Sequence, residues 1–121
     1  MIFKESLLTV ADNSGARYVK CVGLFRNTNF VSVSEFLIVS VKKLKAKKKV
    51  KKGLLYRALL VSSKKKDNSP FSHSIFFFAN KVVLLKKGDK SPLSTRVFCS
   101  LSFKFRGKGF SRLLSMSSEC F

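Results

Sequence analysis

The side chains able to do covalent or acid–base chemistry are few in this chain of 121 residues, and they are dispersed. His73 is the one histidine, so a hydrolytic triad has a single candidate base. It lies in the polar stretch Asp67 to Ser74, where an exposed loop histidine is expected. The six carboxylates, Glu5, Asp12, Glu35, Asp67, Asp89 and Glu119, stand one at a time, so no spacing pairs two of them for general acid and base work. Cys21, Cys99 and Cys120 are odd in number and widely spaced, with no Cys-x-x-Cys. Beside a lone histidine they do not compose a metal-ligand set, and they read as small free thiols of a reducing compartment. Gly107-Lys108-Gly109 holds the one Gly-Lys pair. A phosphate-cradling Walker loop needs glycine where Ser102 stands and Ser or Thr where Gly109 stands, so this segment reads as a flexible basic loop. No catalytic residue, metal or cofactor is expected.

Charge is the stronger signal. Lys and Arg number 25 against six acids, a formal net charge of +19. Such a surface repels itself unless a polyanion faces it, and nucleic acid or an anionic membrane surface are the candidates. The longest clean apolar runs, such as Ile75 to Ala79, fall far short of the roughly 20 residues of a membrane span. The start, Met1-Ile2-Phe3-Lys4-Glu5, lacks the pattern of a secretory signal, and no basic, Ser-rich presequence precedes the first element. Function in an organelle therefore implies synthesis there or prior trimming.

The cations are concentrated. Between positions 42 and 52, eight of eleven residues are lysine: Lys42, Lys43, Lys45, Lys47, Lys48, Lys49, Lys51 and Lys52. No acid lies between Glu35 and Asp67, and none between Asp89 and Glu119. The second stretch carries Lys90, Arg96, Lys104, Arg106, Lys108 and Arg112. Lysines at this density suit neutralisation of a phosphate backbone, which releases counterions without reading sequence. Lys20 joins them as a candidate, as do Arg96, Lys104, Arg106, Lys108 and Arg112. The only apolar residues in the lysine run are Leu44, Ala46 and Val50, too few to anchor it in a core. Lys45 to Lys49 is therefore expected to be mobile until phosphates order it. Most of the thirteen Phe lie in strand-like stretches and read as core. Phe103, Phe105 and Phe110 stand among basic residues and are the candidates for stacking on unpaired bases.

The elements that position these residues read as short strands. Leu7 to Val10 is one, closed by the turn-forming Ala11-Asp12-Asn13-Ser14-Gly15-Ala16. Val19 and Cys21 alternate with Tyr18, Lys20 and Val22. Phe36 to Val41 turns Leu37, Val39 and Val41 to one side. Leu54 to Val61 follows, with Arg57 outward, then Ile75 to Phe78, Val82 to Leu85 and a short final strand at Thr95 to Phe98. Phe110, Leu113 and Leu114 have helical spacing and predict one short helix. Several short strands separated by turn residues predict a small, mainly β barrel or sandwich.

The segment Leu8-Thr9-Val10-Ala11-Asp12-Asn13-Ser14-Gly15-Ala16, with Val19 and Cys21 after it, resembles the opening of the universal large-subunit ribosomal protein fourteen family. The likeness continues through Val50-Lys51-Lys52-Gly53, Ala58-Leu59-Leu60-Val61, Phe77, Asn80, Val83-Leu84, Pro92, Thr95-Arg96-Val97-Phe98 and Phe110 to Ser115. The resemblance implies a five-stranded β-barrel over about residues 1–98 and a C-terminal extension with short helices over about 99–121, as one domain. It implies binding to large-subunit ribosomal RNA, contact with neighbouring large-subunit proteins, and a place on the face that meets small-subunit RNA, where a silencing factor can dock. The motif loop Asn13, Ser14 and Gly15 is expected to be tight, with Gly15 in a backbone shape that a Cβ hinders.

Departures from the family pattern are specific. Its Gly-Asp before the central strand is Ser34-Glu35 here, its Asp-Gly hairpin turn is Phe71-Ser72, and Ser94 stands where it has Gly. Its Gly-Pro is Cys99-Ser100, and its Arg-Glu is Phe103-Lys104. With the enrichment in Phe and Lys, whose codons are A/T-rich, these point to a divergent mitochondrial member, with plastid or bacterial origin as the alternative. The expected function is a structural, non-catalytic, RNA-binding component of the large subunit. A free regulatory or single-strand nucleic-acid-binding module is the alternative, separable by whether the chain co-sediments with large subunits. A small basic enzyme ranks third, opposed by the scattered acids and single histidine.

Overall fold

The computed structural model describes residues 2–25, 27, 29, 31–45, 49–64, 67–68, 74–75 and 79–117, with 67, 68, 74, 75, 103 and 104 described by backbone alone. His73, Phe71, Ser72, Phe77, Lys47, Lys48, Cys120 and the side chains of Phe103 and Lys104 lie outside that description. The strands are β1 (Leu7–Val10), β2 (Ala16–Leu24), β3 (Phe36–Leu44), β4 (Leu55–Ser62), β5 (Asp67–Asn68), β6 (Ser74–Ile75) and β7 (Lys81–Leu84). A 3-10 turn, Phe103–Lys108, and helix α1, Ser111–Met116, follow.

Five strands close a barrel in the order β1-β2-β3-β4-β7. Every pairing is antiparallel except the closing one, where Thr9 pairs with Lys81 and Val10 with Val82 in parallel. Closure removes the exposed strand edges that make a Phe-rich sheet prone to aggregate. The longest pairing, β2 with β3, has register shifts between Ala16 and Tyr18, Tyr18 and Val19, and Cys21 and Gly23. Such irregularities bend and twist strands, and a barrel this narrow needs that bending. The small pair β5–β6 stands apart from the barrel sheet. No helix among the described residues is long and apolar enough to cross a membrane.

Two cores explain the two kinds of apolar run. Leu8, Val19, Cys21, Leu37, Val39, Val41, Ala58, Leu60, Val82 and Leu84 fill the barrel. Leu59, Val61, Val83 and Leu85 point outward and pack under Val97, Leu101, Phe105, Phe110 and Leu113. Strands β4 and β7 are thus covered on both faces. This is why Ala58-Leu59-Leu60-Val61 and Val82-Val83-Leu84-Leu85 are continuously apolar, whereas one-sided strands such as β2 alternate. Helix α1 is too short to hold itself, and its stability comes from Leu113 and the adjoining Phe110. Burying a large apolar side chain contributes about 1.5–3 kcal/mol.

One strand expectation needs correction. Thr95 to Phe98 is not a strand, since only the single bridge Asp12–Val97 forms there. The Asn13 side chain captures the N–H groups of Thr95 and Arg96, which a ladder would need. Arg57 lies on the outward face of β4, as expected, beside Leu59 and Val61, and is covered there by aromatic rings. It is half-buried, with its guanidinium 4.2 Å from the centre of the Phe36 ring.

Candidate nucleic-acid interface

The loop between β1 and β2 ties distant segments together. Asp12 is fully buried. Its Oδ1 accepts the Ser14 N–H at 3.1 Å and the Ser14 hydroxyl at 2.5 Å. Its Oδ2 accepts the Leu84 N–H at 3.1 Å, joining the loop to the end of β7. Burial raises the Asp12 carboxyl above its ordinary value, and the hydrogen bonds from Ser14 and Leu84 offset that only partly. Asn13 Oδ1 accepts the N–H groups of Thr95 at 3.1 Å and Arg96 at 3.2 Å, and its Nδ2 donates to Thr95 Oγ1 at 3.0 Å. Gly15 has φ +102°, a backbone region that favours glycine, as expected for this loop.

The same loop receives the lysine run. Lys45 N–H donates to the Gly15 carbonyl at 2.7 Å, and Lys49 N–H donates to the Ser14 carbonyl at 2.8 Å. Val50 is buried in the barrel core and Leu44 packs against it. The expectation that Lys45 to Lys49 lacks anchorage is therefore corrected at both ends. Backbone hydrogen bonds to the motif loop hold Lys45 and Lys49, and one valine is enough to pin the chain after them. The side chains of Lys42, Lys43, Lys45, Lys49, Lys51 and Lys52 are all exposed, as is Arg96. Three consecutive residues, Asn13, Ser14 and Gly15, thus bring the two acid-free regions together, with Arg96 bound on one side and Lys45 and Lys49 on the other.

Other candidates sit elsewhere. Lys20, on β2, makes a 2.6 Å ion pair with Glu5, which holds that carboxyl below its ordinary value. Arg106, Lys108 and Arg112 are exposed on the 3-10 turn and α1. The Lys108 ammonium donates to Ser34 Oγ at 2.9 Å. Phe105 is fully buried and Phe110 nearly so, which corrects the reading of both as open stacking surfaces. Lys90, one of the cations of the second acid-free stretch, and Phe25, which no sequence motif marks, lie close to this surface. Lys90 lies 5.5 Å from the centre of the Phe110 ring, and Phe25 is 54% exposed. An isolated Phe in a polar loop was the available signal. Cys21 and Cys99 are free, and burial pushes both thiols up, Cys99 to about 11. Among the described residues no group of His, Cys, Asp and Glu could hold a metal ion.

A closed barrel whose motif loop gathers exposed cations is a scaffold with positive charge concentrated on its surface, a form suited to a polyanion. The family model for ribosomal protein L14p/L23e matches residues 1–121. The large ribosomal subunit protein uL14 of Neorickettsia sennetsu (strain ATCC VR-367 / Miyayama) is 42% identical over 122 residues, covering 100% of this chain and 99% of that relative. The chain belongs to the ribosomal protein L14p/L23e family.

Proposed function

We propose that this chain is a structural component of the large ribosomal subunit that binds ribosomal RNA through phosphate neutralisation. The observation that carries this reading is the Asn13–Gly15 loop, which accepts the backbone N–H groups of Arg96 on the Asn13 side chain and of Lys45 and Lys49 on its carbonyls, while the three cationic side chains stay exposed. Fixing the backbone beforehand lowers the ordering entropy that each phosphate contact must offset, by roughly 1–2 kcal/mol per residue held. Phosphate contacts of this kind set register on the RNA without reading bases. The remaining contacts are assigned to Lys20, Lys42, Lys43, Lys47, Lys48, Lys51, Lys52, Lys104, Arg106, Lys108 and Arg112. Lys20 is the weakest of these, because Glu5 already offsets its charge. Neighbouring large-subunit proteins cover the exposed apolar side chains such as Leu7, Leu55 and Phe98. The outer surface faces small-subunit RNA in the joined ribosome. The enrichment in Phe and Lys supports a mitochondrial ribosome, while the bacterial source of the uL14 relative supports a bacterial one.

Sedimentation of a lysate containing the epitope-tagged chain tests the function. The chain is expected in the large-subunit peak and in joined ribosomes, released by ribonuclease. Recovery only at the top of the gradient would contradict the proposal and favour the free module. Cell fractionation separates the two locations, and crosslinks to small-subunit RNA in joined ribosomes test the interface.

A further inference from the structure

A run of four aromatic rings leads from the second core to the surface. Phe105 and Phe110 meet edge to face with centroids 5.9 Å apart. Phe110 and Phe36 are 5.7 Å apart, and Phe36 and Phe25 are 6.3 Å apart at an interplanar angle of 72°. Phe105 has no exposure, whereas Phe25 is 54% exposed at the other end. Phe25, Phe36 and Phe110 form one side of an open cleft of about 530 Å³, and Lys90 and Lys108 border it.

The cations are positioned rather than loose. Lys90 Nζ donates to the Lys108 carbonyl at 3.3 Å, and Lys108 Nζ donates to Ser34 Oγ at 2.9 Å. An ammonium has three donors, so each retains capacity for a phosphate oxygen. The Arg57 guanidinium lies 4.2 Å from the Phe36 centroid and 5.2 Å from that of Phe25, and its buried Nε has no hydrogen-bond partner among the described residues. Glu35 also lines the cleft, with Oε2 accepting the Ser32 N–H at 2.9 Å. Its negative charge disfavours a phosphate on that side.

These features select among occupants by chemistry. An aliphatic segment would cover the rings and leave two ammonium groups unmatched. An acidic peptide would match the ammonium groups and leave Phe25 uncovered. A nucleotide does both, because its base has a π-face and its sugar carries a phosphate. Bases within a duplex are already stacked, so the occupant is unpaired. We propose that this cleft holds one unpaired nucleotide of ribosomal RNA, its base against the exposed Phe25 ring and its phosphate between Lys90 and Lys108. The proposal rests on the RNA-binding reading above and adds a base-stacking subsite to it.

The chain has no tryptophan, so Phe25→Trp places one reporter at the cleft. The full-length variant is titrated with single-stranded oligoadenylate and with a blunt RNA duplex of equal length. Saturable quenching by oligoadenylate, and none by the duplex, is the expected result. Phe25→Leu, which keeps an apolar side chain without a ring face, is expected to weaken oligoadenylate binding about tenfold and to leave duplex binding unchanged. Steep, salt-sensitive duplex binding with no quenching by oligoadenylate would overturn the cleft and leave the phosphate reading standing. Binding of neither RNA would overturn both. A blue shift without quenching in assembled large subunits would show a protein over the cleft and overturn the proposal.

Discussion

The carboxylate of Asp12 accepts the N–H of Leu84, 72 residues further along the chain, at 3.1 Å. This bond crosses from the loop after β1 to the last residue of β7, the two strands whose parallel pairing closes the barrel. The same carboxylate holds both donors of Ser14, so barrel closure and the shape of the cationic loop depend on one side chain.

Asp12→Asn tests that dependence. The amide presents an N–H where one carboxylate oxygen stood, leaving a buried donor without an acceptor. A loss of about 1–3 kcal/mol is expected from the urea midpoint. The pH dependence has a definite sign. Burial raises the folded-state value above the ordinary 3.8, so the folded chain keeps this proton to higher pH than the unfolded chain. The stability from this group is full below the unfolded value and declines as pH rises through the folded one. The gap between wild type and Asp12→Asn is therefore expected to be widest in acid and to narrow toward neutral pH. A gap that widens with pH would show that the hydrogen bonds outweigh burial.

Gly15→Ala places a Cβ on a residue at φ +102°. The expected cost is about 1–2 kcal/mol. Because Gly15 and Ser14 accept from Lys45 and Lys49, amide hydrogen exchange at Lys45 and Lys49 should accelerate more than global unfolding explains. Uniform acceleration across the barrel would contradict the local coupling.

Ser34 carries φ +74° at the third position of a turn in which Glu35 N–H donates to the Ser32 carbonyl at 3.2 Å. That turn geometry favours glycine, and the resembled family has Gly-Asp where this chain has Ser34-Glu35. Ser34→Gly is expected to raise stability by up to about 1 kcal/mol, even with loss of the hydroxyl that Lys108 contacts. A lower melting temperature would show that the Lys108 contact outweighs the backbone strain.

Cys99 is held at about 11 by burial, with Lys81 opposing weakly. Near pH 7.5 its reactive thiolate is then on the order of one molecule in a few thousand. Mass spectrometry after brief iodoacetamide treatment should find Cys99 labelled far more slowly in the native chain than in urea. Native labelling at the rate of an unfolded chain would contradict the raised thiol of this half-buried residue.

Much of the barrel was legible because its strands carry period-2 or continuous apolar patterns. Leu7 to Val10 reads directly as β1, and the apolar runs within Leu54 to Val61 and Val82 to Leu85 read as strands, whose burial on both faces emerges only in the fold. What stayed hidden depends on hydrogen bonds made across long stretches of chain. Asn13 reaches 82 residues to Thr95 and turns an apparent strand into a clamped loop. The lysine run looks unanchored by composition, yet the backbone N–H groups of Lys45 and Lys49 bond to the motif loop, which composition does not report. Phe105 and Phe110 stand between basic residues in sequence, but in the 3-10 turn and at the start of α1 they face the outer core, while Phe25 remains outside.

The central claim is that the lysine run binds ribosomal RNA phosphates from an anchored position. A salt-titrated filter-binding series on a duplex-rich ribosomal RNA fragment tests it most directly, comparing wild type with Lys47→Ser, Lys48→Ser and Lys49→Ser combined, and with paired thermal melts. With about six phosphates neutralised, wild-type affinity should fall on the order of a thousandfold between roughly 50 and 200 mM salt. The triple variant should bind more weakly with a shallower slope and melt at nearly the same temperature, because Lys49 meets Ser14 through its backbone. A flat wild-type salt response, or a variant that loses stability while keeping its RNA affinity, would contradict the account.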